Sequence, residues 1–286
     1  MIPAAFDYQA PASVEEALQL LSGGGDTEIK VLAGGQSLLP VLKMRLAAPD
    51  LVVDLAKIPG LTGIREDGDR IVVGAMTTHH EVANDPLVAE HLLLLQEAAK
   101  TVADPQVRHR GTLGGALVHA DPAGDLLAPV LALDAELVIS GAAGRRTVPA
   151  AEFFQGLFTT AVGEDEILTE IRFPRHTGWG ARYEKFTRVV QQWSVVSVAA
   201  SVRMDGGAIA EAVVALTNMG STPIRASSVE QALAGCAATA EAVGAAVAGV
   251  AEGTSPPADL NGDADYRRQL AVVLARRAVL AAAGVS

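Results

Sequence analysis

Hydrophobic and polar positions along residues 1–55 alternate between a helical and a strand-like texture. Ser13 followed by Glu16 has the spacing of a capping box, ahead of the Val14–Leu21 run in which apolar residues recur at helical intervals. Ile29-Lys30-Val31-Leu32 is a short strand that runs into Ala33-Gly34-Gly35-Gln36-Ser37. Leu38 to Leu46 reads as a helix, and Leu51-Val52-Val53-Asp54-Leu55 as the next buried strand. Helices placed between strands in this way predict a small α/β unit.

From about Ile58 the texture changes. Arg70 to Ala75 predicts a strand, and Asn84-Asp85-Pro86 opens a helix expected to run through Leu92 to about Val102, with Pro86 suited to its first turn. A long glycine-containing segment follows from Asp104 to Asp125. Further strands are expected at Glu136–Ser140 and Glu166–Ile171, and Pro174 with Gly178 marks a boundary. In the last third, Val195–Met204 and Ala208–Asn218 are two β-like stretches joined by Asp205-Gly206-Gly207, a hairpin signal. Helices are then expected at Ser228–Ala234, Ala237–Val250 and Asp265–Ala283, with Pro256-Pro257 interrupting the last two. Internal repeats and long low-complexity segments are absent.

Composition narrows the functional classes. The 286 residues carry a net charge of -11, which disfavours a nucleic-acid or anionic-membrane partner because either would call for a basic face. Cys236 is the single cysteine, so the chain by itself forms no disulfide, no cysteine-held iron–sulfur cluster and no thiolate zinc site. Any electron carrier here is organic or sits on a partner. The N-terminus lacks a basic stretch followed by an apolar core, and glycine, proline or charge interrupts every apolar run before it reaches membrane-spanning length. The expectation is a cytoplasmic protein with no integral membrane segment.

Two glycine-rich segments carry the chemical information. In Ala33-Gly34-Gly35-Gln36-Ser37, adjacent glycines allow backbone amides to converge on a phosphate, and Gln36 and Ser37 add side-chain donors. A following helix N-terminus would add unpaired N–H groups. A Gly-Gly pair after a strand is more often a plain turn. The pattern differs from the Gly-x-Gly-x-x-Gly dinucleotide fingerprint, and the Gly-Lys-Ser/Thr of a P-loop is missing. In the second segment, Thr112-Leu113-Gly114-Gly115 follows Arg108 and Arg110 and precedes Asp121 and Asp125. Thr112 is a candidate donor to phosphate, and either carboxylate is a candidate acceptor for a ribitol or ribose hydroxyl. The competing reading is a loop whose charges face water. His79 and His80 suit a helix start better than a metal site, since the third ligand spacing is missing.

In combination, Ala33-Gly34-Gly35-Gln36-Ser37-Leu38-Leu39-Pro40, Arg110-Gly111-Thr112-Leu113-Gly114-Gly115 and Tyr183-Glu184-Lys185-Phe186 resemble the FAD-binding medium subunit of the xanthine dehydrogenase and carbon monoxide dehydrogenase (molybdenum hydroxylase) family. The resemblance covers essentially the whole chain, and the order and spacing of three motifs are more specific than any one. It implies an α+β protein with a two-subdomain FAD-binding fold of the vanillyl-alcohol oxidase type, at residues 1–55 and 56–176. A C-terminal domain with a small antiparallel sheet and helices follows, at 177–286. It also implies that Ala33 to Ser37, with Leu38, hold the FAD pyrophosphate, and that Thr112, Gly114 and Gly115 pack against the pyrophosphate and the flavin side. Asp125 matches a carboxylate that hydrogen-bonds the cofactor in relatives, with Asp121 beside it in the sequence. Lys185 matches a lysine near the flavin, where a cation favours the anionic reduced form. Trp193 stands about where an aromatic residue of carbon monoxide dehydrogenase lies against the ring, with a core tryptophan at a domain interface as the alternative. Many relatives carry His or Asn-Thr where Gln36-Ser37 stand, which alters the donor pattern.

The function implied is electron transfer: from [2Fe–2S] clusters of a small partner subunit, through FAD, to an external acceptor, with hydroxylation at molybdenum on a large subunit. Such assemblies are expected as dimers of heterotrimers, and substrate choice then falls to the large subunit. Three other readings compete. A free-standing flavin oxidoreductase of the vanillyl-alcohol oxidase type needs a larger substrate domain than the C-terminal part offers. The UDP-N-acetylmuramate reductase branch has a different second motif. A non-enzymatic assembly protein would have no use for both glycine loops.

Overall fold

The computed structural model describes residues 2–25 and 27–285. Strands β1 (Asp7–Gln9), β2 (Ile29–Leu32) and β3 (Leu51–Asp54) form a parallel sheet in the order β1-β3-β2. Parallel neighbours need crossover connections, which helices Val14–Ser22 and Leu38–Lys43 supply. Ser13 caps the first of these, its Oγ accepting from the Glu16 amide at 3.1 Å. The Glu16 carboxylate reaches back to the Ala12 amide at 2.8 Å, one residue earlier than a standard capping box. Helix Leu38–Lys43 is shorter than expected: Arg45 turns the backbone to φ 58°, and the Leu46 amide folds back onto the Val41 carbonyl. Strand β1 is Asp-Tyr-Gln, exposed throughout and joined to β3 by backbone pairing, so no apolar signal marked it.

Strands β4 (Ile64–Asp67), β5 (Arg70–Gly74), β6 (Glu136–Gly141), β7 (Gly144–Pro149), β8 (Phe154–Gly156), β9 (Thr159–Thr160) and β10 (Ile167–Pro174) follow. All but β8 and β9, which pair with each other, make a five-stranded antiparallel sheet in the order β4-β5-β10-β6-β7. The expected helix from Pro86 to Val102 breaks at Leu92 (φ -135°, ψ 45°) into Pro86–His91 and Leu93–Thr101. Around the break Leu92, Leu94 and Leu95 are fully buried and Leu93 is half-buried. Half of the segment Asp104–Asp125 is helical. It contains Pro105–Arg108 and Leu113–His119, capped by the Asp104 and Thr112 side chains respectively.

The last third is an antiparallel sheet of β11 (Gly180–Phe186), β12 (Val196–Asp205), β13 (Ala208–Thr217) and β14 (Ile224–Arg225), in chain order. The β12–β13 hairpin turns on Gly206 and Gly207, both at positive φ, as a two-residue turn of this hand requires. The sheet is covered on both faces. Val198, Ala200 and Val202 pack with helices Ser227–Leu233, Ala240–Ala246 and Ala264–Ala282, while Ala199, Val213 and Ala215 join the core of the five-stranded region through helices Leu93–Thr101 and Leu127–Ala132. Among the described residues no helix is long and apolar enough to cross a membrane.

Candidate functional site

The two glycine-bearing turns meet across the boundary between the first two sheets. Gly34 lies so close to the second turn that a Cβ there would stand 2.1 Å from the Arg110 carbonyl oxygen and 2.7 Å from Gly111 Cα. Residues 75–79 run beside the second turn and staple it: Gly114 donates to the Ala75 carbonyl at 2.8 Å, Leu113 to Thr77 at 2.9 Å, and His79 to Gly111 at 2.9 Å. A Cβ at Gly114 would strike the Ala75 backbone at 2.6 Å. These glycines therefore permit protein to approach protein, so Gly114 is needed before any ligand enters.

A cavity of about 540 Å³ opens at this junction, a volume in the range of cofactor sites. Ala33, Gly34, Gly35, Gln36, Ser37, Leu38, Thr112, Gly114, Gly115, Asp121, Asp125 and Trp193 all line it. Lys185 alone among the expected residues stands outside the wall, immediately behind Asp125. Residues that the sequence did not mark as site residues complete the lining, among them Val102-Ala103, Val162 with Glu166–Leu168, His79 and His119.

The two turns offer different chemistry. Among the described residues, the amides of Gly34, Gly35, Gln36 and Ser37 donate to no protein acceptor. Ser37 precedes the following helix without capping it through its side chain. In the second turn the Gly114 amide is taken by Ala75, and the Gly115 amide donates to Thr112 Oγ1 at 3.1 Å. Free amides are thus a feature of the first turn, while in the second Thr112 keeps its hydroxyl proton for a ligand.

Asp125 is the centre of a buried polar network. Its Oδ1 accepts from Tyr183 Oη at 3.0 Å and Ser194 Oγ at 2.9 Å, and its Oδ2 from Lys185 Nζ at 2.7 Å. Burial pushes the Asp125 carboxyl above its ordinary value, opposed by the Lys185 ammonium and the two hydroxyls. A carboxylate offers about four acceptor positions, so about one remains. Lys185 also donates to the Thr101 carbonyl at 3.1 Å, at the end of helix Leu93–Thr101. Ser194 adjoins Trp193, which is 55% exposed and so is not a core tryptophan. Gln191 fastens the same loop to Asp104 Oδ2 at 2.9 Å. Asp121 accepts from the Ala123 amide at 2.9 Å and turns the chain toward Asp125.

Two histidines in the wall were missed as site residues. Thr78, not a histidine, caps helix His79–Asn84 in a capping box with Glu81. His79 is the first residue of that helix and is buried. Its Nδ1 has no hydrogen-bond partner, and burial with the nearby Arg108 cation holds its pKa down to about 4. Burial likewise lowers His119, against the pull of Asp121. Among the described residues no group of His, Cys, Asp and Glu is placed to hold a metal ion.

Free amides, a hydroxyl, a buried carboxylate and an exposed aromatic side chain around one cavity have the form of a dinucleotide site. The chain matches the FAD binding domain in molybdopterin dehydrogenase over residues 4–176, and the CO dehydrogenase flavoprotein C-terminal domain over 181–282. It is 44% identical over 285 residues to the carbon monoxide dehydrogenase medium chain of Hydrogenophaga pseudoflava, covering 99% of this chain and 98% of that one. Identity to the nicotine 6-hydroxylase medium subunit of Paenarthrobacter nicotinovorans is 39%, over 97% of both chains. A solved carbon monoxide dehydrogenase from Hydrogenophaga pseudoflava, lacking the Mo-pyranopterin moiety, superposes with a TM-score of 0.95 at 46% identity, covering 99% of this chain and 98% of that one. The chain belongs to the FAD-binding medium-subunit family of the molybdenum hydroxylases. FAD is its cofactor, and it is the flavoprotein component of an oxidoreductase.

Proposed function

We propose that this chain carries electrons from [2Fe–2S] clusters of a small partner subunit, through FAD, to an external acceptor, as one part of a cytoplasmic heterotrimeric molybdenum hydroxylase. The observation that carries the reading is the row of unpartnered amides at Gly34–Ser37 facing the cavity, a preformed cradle for a diphosphate. In this account Ala33 to Leu38 hold the diphosphate, and Thr112 donates to it with Gly114 and Gly115 packed alongside. Asp125 uses its remaining lone pair on a ribityl hydroxyl, with Asp121 placed for a second contact. Trp193 lies against the ring system, and Lys185 acts on the site through Asp125. When bound, FAD supplies the exchange between one-electron and two-electron transfer. The protein's task is to hold it, exclude water and set its electrostatic surroundings.

Two further observations support partners. The single cysteine leaves no means of ligating a cluster in this chain, and full-length relatives are named as medium chains or subunits of enzymes acting on molecules as different as carbon monoxide and nicotine. Substrate selection and hydroxylation then belong to a large molybdopterin-binding subunit, in a dimer of heterotrimers. Stripping FAD from the purified assembly tests this. Substrate should still reduce the iron–sulfur centres, while reduction of the external acceptor stops and returns when FAD is added back. Acceptor reduction that persists without flavin would contradict the proposal.

A further inference from the structure

Asn218 follows the end of β13 and does not itself line the cavity, yet it ties two pieces of the lining together. Its backbone amide donates to the Pro122 carbonyl at 2.9 Å, within the turn from Asp121 to Asp125. Its side-chain Nδ2 donates to the Ser194 carbonyl at 2.8 Å and to the Val195 carbonyl at 3.2 Å, next to Trp193. The same two segments meet inside the site, where Ser194 Oγ donates to Asp125 Oδ1 at 2.9 Å. Asn218 therefore closes a ring of hydrogen bonds from behind the wall. Its backbone lies at φ 61°, a left-handed conformation that few side chains other than asparagine adopt. In that conformation main chain and side chain address different segments at once. The Val195 carbonyl also accepts from the fully buried guanidinium of Arg267, so the C-terminal domain holds this loop at two points.

We infer that Asn218 is a positioning residue of the FAD site, one that holds the Trp193–Ser194 loop against the Asp121–Asp125 turn so that the flavin-bearing half of the cofactor meets a preordered wall. The inference rests on the FAD reading above and adds to it a residue that touches no cofactor. Without the side-chain amide, Ser194 keeps its hydroxyl but its main chain loses an anchor. The cost of ordering the loop then falls on flavin binding.

The test uses the protein in the complex in which it purifies, freed of flavin and titrated with FAD. Asn218→Gly removes the side-chain amide and keeps the left-handed backbone without steric cost. Asn218→Asp keeps the shape, and its carboxylate cannot donate. Both are expected to bind FAD about fivefold more weakly, the equivalent of one net hydrogen bond. The fluorescence of the bound flavin is expected to rise, because a loosened Trp193 quenches the ring less. Ser194→Ala, alone and combined with Asn218→Gly, asks whether Asn218 acts through that loop: the loss in the double variant should fall short of the product of the two single losses. FAD affinity within twofold of wild type and unchanged flavin fluorescence in both Asn218 variants would overturn the assignment, whatever their melting temperatures, and would leave Asn218 a structural residue only. Losses that simply multiply in the double variant would overturn it too. A wild-type complex that takes up no FAD would instead overturn the FAD site itself.

Discussion

A methyl group at position 34 would stand 2.1 Å from the Arg110 carbonyl oxygen, and one at 114 would stand 2.6 Å from the Ala75 carbonyl. The sequence marks these positions, because Gly-Gly pairs stand out in it, but it cannot say what the missing Cβ would touch. They read there as clearances for phosphate; in the folded chain they are clearances for backbone. Substituting either would report on folding before it reported on FAD. His79 was open to the opposite error. As one of two adjacent histidines beside Thr78 it reads as a helix start, and only the fold shows its ring in the cavity wall with one nitrogen unpaired. It also makes stability depend on pH. Folding lowers its pKa from 6.5 to about 4. Above pH 6.5 it is neutral in both states and its contribution is complete. As pH falls below 6.5 the unfolded chain takes up a proton that the native chain refuses until about pH 4, so stability is lost through that window, by about 3 kcal/mol at its lower end. Urea midpoints compared between pH 7.5 and pH 5 should fall further for wild type than for His79→Phe; parallel curves would remove His79 from the acid response.

Elements with a local signal were legible. The β12–β13 hairpin, the buried strands β3 and β5, and the helix over Ala264–Ala282 all lie near where periodicity and turn chemistry put them. Elements fixed by tertiary contact were not. Strand β11 has no strong alternation and is ordered by full antiparallel pairing with β12. Site residues on separate elements show the same division. Asp125 was a candidate from its place after the second glycine pair and Lys185 by family likeness, yet sixty residues of sequence separation hid that they pair at 2.7 Å, with side chains 4% and 8% exposed. Removing one partner of such a pair strands the other. Lys185→Met should therefore destabilise the protein by roughly 3–5 kcal/mol, and Asp125→Asn combined with Lys185→Met should cost less than the sum of the two single changes. A double-mutant cycle in urea reads this directly. Additive effects would mean that the pair does not act as a unit, and Lys185 would lose its route to the site.

At the scale of the whole molecule, the cavity exists because three sheets share their boundaries. The parallel sheet brings the Gly34–Ser37 turn, the five-stranded region brings Thr112 and Asp125, and the last sheet brings Tyr183, Lys185 and the loop carrying Trp193. The C-terminal sheet is buried on both faces, so it closes the site while its far face packs against helices of its own. Among the described residues no group of His, Cys, Asp and Glu is placed to hold a metal ion, and with a single cysteine in the chain the proposed function assigns iron–sulfur clusters and substrate choice to other chains. The most direct test of that division is to purify the chain from its native source under gentle conditions and quantify FAD, iron and molybdenum on the same sample. One FAD per chain, with iron, molybdenum and two further polypeptides in constant ratio, is the predicted result. A solitary chain that retains FAD and oxidises a substrate unaided would contradict the account.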